Sequence, residues 1–109
     1  MSEVVVVAVM TAAEGKGAEV EGLIRSLIPP THAEDGCITF AMHRDLADPH
    51  RLVLVERWTS RDALDRHLAA EHLSAFRAAV APLCAAPAQV AVMESVPAGD
   101  PTKGTLAGA

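Results

Sequence analysis

Seven consecutive apolar residues near the N-terminus, Val4-Val5-Val6-Val7-Ala8-Val9-Met10, limit the choice of fold more than any other stretch. Valine is stiff at χ1, loses freedom in a helix and packs well on a pleated surface. A bilayer span takes ~20 residues, so the run is a strand and not a membrane helix. Its apolar side chains occupy odd and even positions alike, so both faces of the strand must find cover.

The period then changes. Val20, Leu23, Ile24, Leu27 and Ile28 follow the i, i+3, i+4, i+7, i+8 spacing of an amphipathic helix, predicted over Glu14 to Ile28. Pro29-Pro30 should stop or kink it. Thr31-His32-Ala33-Glu34 has capping-box spacing for one further turn, closed by Gly36. Cys37 to Arg44 and Arg51 to Trp58 read as two strands joined across the turn-rich loop Asp45–His50. If Arg44 pairs with Arg51, then Cys37, Thr39, Ala41 and His43 share a face with Leu52, Leu54, Glu56 and Trp58. Phe40 and Met42 then fall on the opposite face with Val53, Val55 and Arg57.

Thr59 or Ser60 caps the next helix, with Asp62 in its first turn. Leu64, Leu68, Leu73, Phe76, Val80 and Leu83 continue at helical spacing, as two short helices if the chain breaks near Ala70. Gln89 to Val96 is the fourth strand. The order β-α-β-β-α-β is the split βαβ arrangement of an α+β, ferredoxin-like fold with an antiparallel sheet. Residues 1–96 make this one domain. Residues 97–109 carry no pattern and read as a flexible tail.

A chain of this size buries only roughly 60–65% of the surface it exposes when unfolded. Its only aromatic residues are Phe40, Trp58 and Phe76, so the core is built from Val, Leu, Ile and Ala. Such a small aliphatic domain gains burial from a partner, and a homodimer closing through the second sheet face is expected. The net charge of −5 and the lack of a basic stripe argue against nucleic-acid binding. Cys37 and Cys84 form no CxxC pair, and no signal peptide precedes the first strand. Both features point to a reduced, cytoplasmic protein.

Glu34-Asp35-Gly36-Cys37, the hairpin after it, Glu56-Arg57-Trp58-Thr59-Ser60, Ala63-Leu64, His67, His72 and Phe76 together resemble the antibiotic biosynthesis monooxygenase family of dimeric α+β barrels. The likeness runs from Val4 to Val96. It implies a homodimer with one cavity per subunit between helices and sheet. Some members oxygenate phenolic or hydroquinone-type substrates with O2 and without flavin, haem or metal; other branches isomerise a phosphorylated signalling sugar or degrade haem. The haem branch resembles a pattern with an Asn on the first strand and a ligand His one turn beyond the present His72. This chain has no Asn and carries Arg77 there. It also has no Tyr, which some polyketide-oxidising members place in the cavity.

His67 borders the buried face of its helix and is the candidate general base for a phenol or enol; a boundary histidine bonded to Glu71 is the structural alternative. Glu56 is the odd carboxylate in an apolar strand and must be paired, hydrogen-bonded or protonated if buried. It either orients His67 or forms a structural ion pair. Trp58 and Phe76 are candidate walls of a substrate pocket, with Phe40 beside them, although all three fit a core role. His72 is a candidate second polar contact. It stands five residues from His67, so the two converge only if the helix breaks between them. They show no third ligand, and no metal or cofactor is expected. The function expected is a cofactor-independent monooxygenase of a small phenolic, hydroquinone or polycyclic substrate, taking that substrate and O2 as partners. The alternatives are a cofactor-free isomerase or lyase of an enolisable metabolite, and a non-catalytic ligand-binding dimer.

Overall fold

The computed structural model describes residues 2–106. β1 (Val4–Thr11) is followed by α1 (Gly17–His32), β2 (Cys37–Arg44), β3 (Arg51–Trp58), α2 (Arg61–Leu68), α3 (Glu71–Val80) and β4 (Gln89–Glu94), with a 3-10 turn at Ala81–Leu83. The sheet order is β2-β3-β1-β4 and every neighbouring pair is antiparallel. The fold is therefore the α+β, ferredoxin-like arrangement expected from the order of periods.

Two expectations around α1 are corrected. The helix runs through Pro29 and Pro30 to His32. Both prolines are exposed, so the carbonyls that lose their N–H partners face water instead of the core. Leu27 and Thr31, one turn apart, are both buried and hold the last turn down; the Thr31 hydroxyl donates to the Leu27 carbonyl at 2.8 Å. Thr31 thus lies inside α1 and forms no capping box. That leaves the Glu34 side chain available for other partners.

The hairpin register also differs by one residue. Arg44 pairs with Leu52, Met42 with Leu54 and Phe40 with Glu56, while a bulge between Cys37 and Thr39 absorbs Ile38. Two side-chain turns, Ala47 N–H to Asp45 Oδ1 and His50 N–H to Asp48 Oδ1, occupy the loop and set the offset. Because side chains alternate, the slip moves Phe40 and Met42 onto the face of Leu54 and Glu56. That face, with Val6, Ala8 and Met10 of β1, meets Val20, Ile24 and Leu27 of α1 and Leu64, Leu73 and Phe76 of α2 and α3. The opposite face presents Val5, Val7, Val9, Val53 and Val55, with no helix over it.

Ser60 is the cap of α2, its Oγ accepting from Ala63 N–H at 3.1 Å. The expected break falls at Ala69-Ala70, where Ala70 is extended and α3 starts afresh. Beyond β4 the chain makes a further turn. Asp100 Oδ1 accepts from the N–H groups of Thr102 and Lys103, where the sequence shows no pattern. Residues 107–109 of the expected tail lie outside the described residues.

Gly36 joins these parts. It has φ +88, and a Cβ there would stand 2.5 Å from Ala63 Cβ and 2.7 Å from Thr59 Oγ1. Its carbonyl accepts from Thr59 N–H at 2.9 Å, so the segment after α1 lies directly against the start of α2. Gly36→Ala should destabilise the protein by roughly 2–4 kcal/mol, combining left-handed backbone strain with overpacking. Urea unfolding would register this as a lower midpoint with an unchanged slope.

Candidate active site

Between the sheet and α2–α3 lies a cavity of about 650 Å³, within the size range of small-molecule sites. Its walls are almost entirely apolar, with Phe40, Leu54, Leu73 and Phe76 among them. Glu56, His67, Arg77 and the Cys84 thiol are its only ionisable members among the described residues. Small residues Ala85, Ala86 and Ala88 form one rim beside Val90 and Val92 of β4, which stay exposed. Arg77 stands out in the sequence only at the position of the haem branch's ligand His, and neither it nor this alanine-rich rim is placed in the cavity there. The run of side chains too small to fill a core is the signal that marks the rim.

His67 lies at the inner end of the cavity with a side chain only 3% exposed. Phe40 meets it edge-on at 5.6 Å between ring centroids, and Trp58 packs against it at 4.6 Å. Its Nδ1 stands 2.7 Å from Glu34 Oε2. The same carboxylate oxygen is 2.7 Å from Nε2 of His72. A carboxylate only accepts, so both rings present an N–H to it. The proton of a neutral His67 is thereby held on Nδ1, leaving the lone pair on Nε2. No buried side-chain nitrogen or oxygen among the described residues lacks a partner, and Nε2 takes no bond from protein, so Nε2 opens onto the cavity.

The residue that orients His67 is therefore Glu34, not Glu56. Glu56 Oε1 instead accepts from the Trp58 indole N–H at 3.0 Å. Burial pushes the Glu56 carboxyl up to about 7, against the lowering effect of the Trp58 bond and with a further rise from the Glu34 charge. At neutral pH this group divides between acid and carboxylate, facing the same cavity as His67. Trp58 is fully buried and lies behind His67, not on the cavity wall. His72 likewise is not part of the wall; it reaches Glu34 from the outer side with 30% of its side chain exposed. Phe40 and Phe76 do line the cavity. His32 sits in the last turn of α1 and donates to the Phe40 carbonyl oxygen at 3.0 Å.

Glu34, His67 and His72 come from the loop after α1, from α2 and from α3, and their ligand atoms all lie within 4.8 Å of one another. Glu34 is thus the third member that the two histidines seemed to lack. The thiols offer less: burial raises both Cys37 and Cys84, and the Glu34 and Glu56 charges raise Cys37 further, so each stays protonated.

The family model for antibiotic biosynthesis monooxygenases matches residues 3–79. The chain belongs to that family. The Mycobacterium tuberculosis protein named "Putative monooxygenase Rv0793" is 42% identical over 71 residues, which cover 65% of this chain and 69% of that protein. The solved structure of Rv0793 superposes with a TM-score of 0.82 at 33% identity, covering 91% of this chain and 98% of that one. PA3566 from Pseudomonas aeruginosa gives a TM-score of 0.82 at 28% identity, covering 88% and 96%. In this member of the antibiotic biosynthesis monooxygenase family the matched span holds Glu34, Glu56, His67 and His72. It ends before the alanine-rich rim and β4, so the polar end of the cavity lies within it and part of the mouth outside it.

The raised Glu56 carboxyl has a consequence for stability. Folding favours its protonated form, so the folded chain holds more protons than the unfolded one between the ordinary value near 4.5 and about 7. Stability from this group is full below pH 4.5 and falls by up to about 3 kcal/mol as pH rises through 7. Glu56→Gln should remove that fall. Urea unfolding at pH 5 and pH 8 checks it, with the difference between the two pH values smaller in the variant than in the wild type.

Proposed function

We propose that this protein is a monooxygenase that oxidises a planar phenolic, hydroquinone or polycyclic aromatic compound with O2 and no added cofactor. The observation that carries the reading is His67 itself. One ring nitrogen is fixed by a carboxylate, and the other is turned into a largely apolar cavity of about 650 Å³. Membership of the antibiotic biosynthesis monooxygenase family and the likeness to Rv0793, named as a monooxygenase, support the reaction class.

In the proposed reaction His67 Nε2 takes the proton of an anthrone-type phenol or enol, and the Glu34 carboxylate stabilises the imidazolium that results. The substrate anion gives one electron to O2, and the two radicals couple to a hydroperoxide on the ring carbon. Loss of water leaves a ketone there: one oxygen atom enters the product and the other leaves as water, so the substrate is the only reductant. Glu56, present in both protonation states near neutrality, is placed to hand a proton to the departing oxygen. Phe40 and Phe76 hold the ring, and the apolar wall disfavours charge anywhere except at the polar end.

The working unit is a two-fold dimer. The sheet face away from the helices carries the half-buried Val7, Val9, Val53 and Val55, an apolar, β-branched patch able to meet a second copy of itself. Val55→Lys should convert a dimer to a monomer, read by light scattering of the eluting protein.

Oxygen uptake with a panel of hydroquinones and anthrone-like phenols, corrected for autoxidation, tests the chemistry. His67→Ala should lower turnover roughly 10²–10⁴-fold, the range of a general base. His67→Gln, with its smaller change in volume, should lower it comparably while unfolding at a similar urea midpoint. Turnover that survives both substitutions would overturn the assignment of the base.

A further inference from the structure

The Glu34–His67–His72 cluster brings two imidazole nitrogens and a carboxylate oxygen within 4.8 Å of one another from three separate segments of the chain. Each ring offers a single nitrogen to it, Nδ1 from His67 and Nε2 from His72, and both lie 2.7 Å from the same Glu34 oxygen. We propose that these three residues form a binding site for a divalent transition cation of the zinc class, and that its occupancy switches off His67 as a base. The second part rests on the functional reading above; the first does not.

The donor set selects the class of ion. Two imidazoles with one carboxylate suit zinc and its neighbours, with a fourth position left for water, whereas magnesium and calcium take oxygen ligands. Tetrahedral ligands at zinc distances stand roughly 3.3 Å apart. The two N–H···O contacts must therefore open by about half an ångström, and the two ring nitrogens, which lie within 4.8 Å of each other, must draw together to about the same spacing. The freedom to do so is on the outer side. The Glu34 and His72 side chains are 15% and 30% exposed, against 3% for His67, which also gives the ion its path inward. Glu34 follows the end of α1, and His72 lies in the first turn of α3, so either side chain can shift without moving the sheet.

The consequence for His67 follows from the two nitrogens of one ring. A cation on Nδ1 replaces the proton now shared with Glu34, and the neutral ring keeps its proton only on Nε2. No proton leaves the ring; it changes nitrogen. Nε2 then presents N–H to the cavity and has no lone pair with which to accept the substrate's proton. His72 undergoes the corresponding exchange, its proton moving from Nε2 to Nδ1. A chelator restores the original arrangement.

The experiment titrates zinc chloride into the full chain by calorimetry, and cobalt(II) chloride in parallel with visible absorption as a report on four-coordinate geometry. The wild type should saturate at one equivalent per chain. His72→Ala and Glu34→Gln should each weaken binding roughly tenfold or more. Glu56→Gln, outside the cluster, should bind zinc as the wild type does. Circular dichroism melts confirm that each variant is folded, and His72 is exposed enough to be replaced without opening the core. Absence of saturable binding, or stoichiometric binding that survives His72→Ala, would overturn the site.

Oxygen uptake with the anthrone-like phenols separates the two claims. Saturating zinc should abolish wild-type turnover, and a chelator should restore it. If zinc binds through the cluster but turnover is unaffected, the cation site stands and the assignment of His67 as base fails. If His67→Ala abolishes turnover but zinc does not bind, the base stands and the cation site fails.

Discussion

One carboxylate oxygen shared by two imidazoles sets the chemistry of this protein. Glu34 Oε2 fixes the rotation and tautomer of His67 from behind, and His72 fixes Glu34 from the solvent side. Each member alone is a commonplace polar residue. Held together, they leave the second imidazole nitrogen of His67, Nε2, at the end of an apolar cavity, where it has no competing protein donor. The rest of the site follows from that placement. Phe40 and Trp58 clamp the ring on two sides, and Glu56 is kept nearby with its carboxyl raised by burial.

The fold supplies this contact through three local decisions. α1 persists past two prolines because Leu27 and Thr31 remain buried on one face, so the chain leaves the helix at Ala33. Gly36 then allows the backbone to turn against Ala63, bringing the loop that carries Glu34 onto α2. The break at Ala69-Ala70 redirects α3, so that His72 approaches Glu34 instead of pointing half a turn away from His67. The sheet face below, in the register that runs unbroken from the hairpin loop to Thr39, sets Phe40 opposite Glu56.

The strand and helix order was legible from periodicity alone, since hydrophobic alternation and the 3.6-residue stripe both survive in a single sequence. The break near Ala70 was legible because helical spacing fails there. His67, Glu56, Phe40 and Phe76 stood out as chemistry-bearing or aromatic side chains in apolar surroundings, and all four line the cavity. Glu34 did not. Its spacing from Thr31 offered a local explanation, a capping box, that hid a contact across 33 residues of sequence. The hairpin register was also out of reach. It goes with two aspartate side chains bonding their own loop, which does not alter the hydrophobic pattern.

Membership of the antibiotic biosynthesis monooxygenase family accounts for the sheet and the cavity, while the local account rests on where one proton sits. Long-range 1H–15N correlation spectra of the histidine rings near neutral pH measure that directly. The arrangement described here predicts a neutral His67 protonated on Nδ1 with an unprotonated Nε2, and a His72 protonated on Nε2, with the His67 pattern lost in Glu34→Gln. A His67 protonated on Nε2, or one unchanged by removing the Glu34 carboxylate, would contradict it.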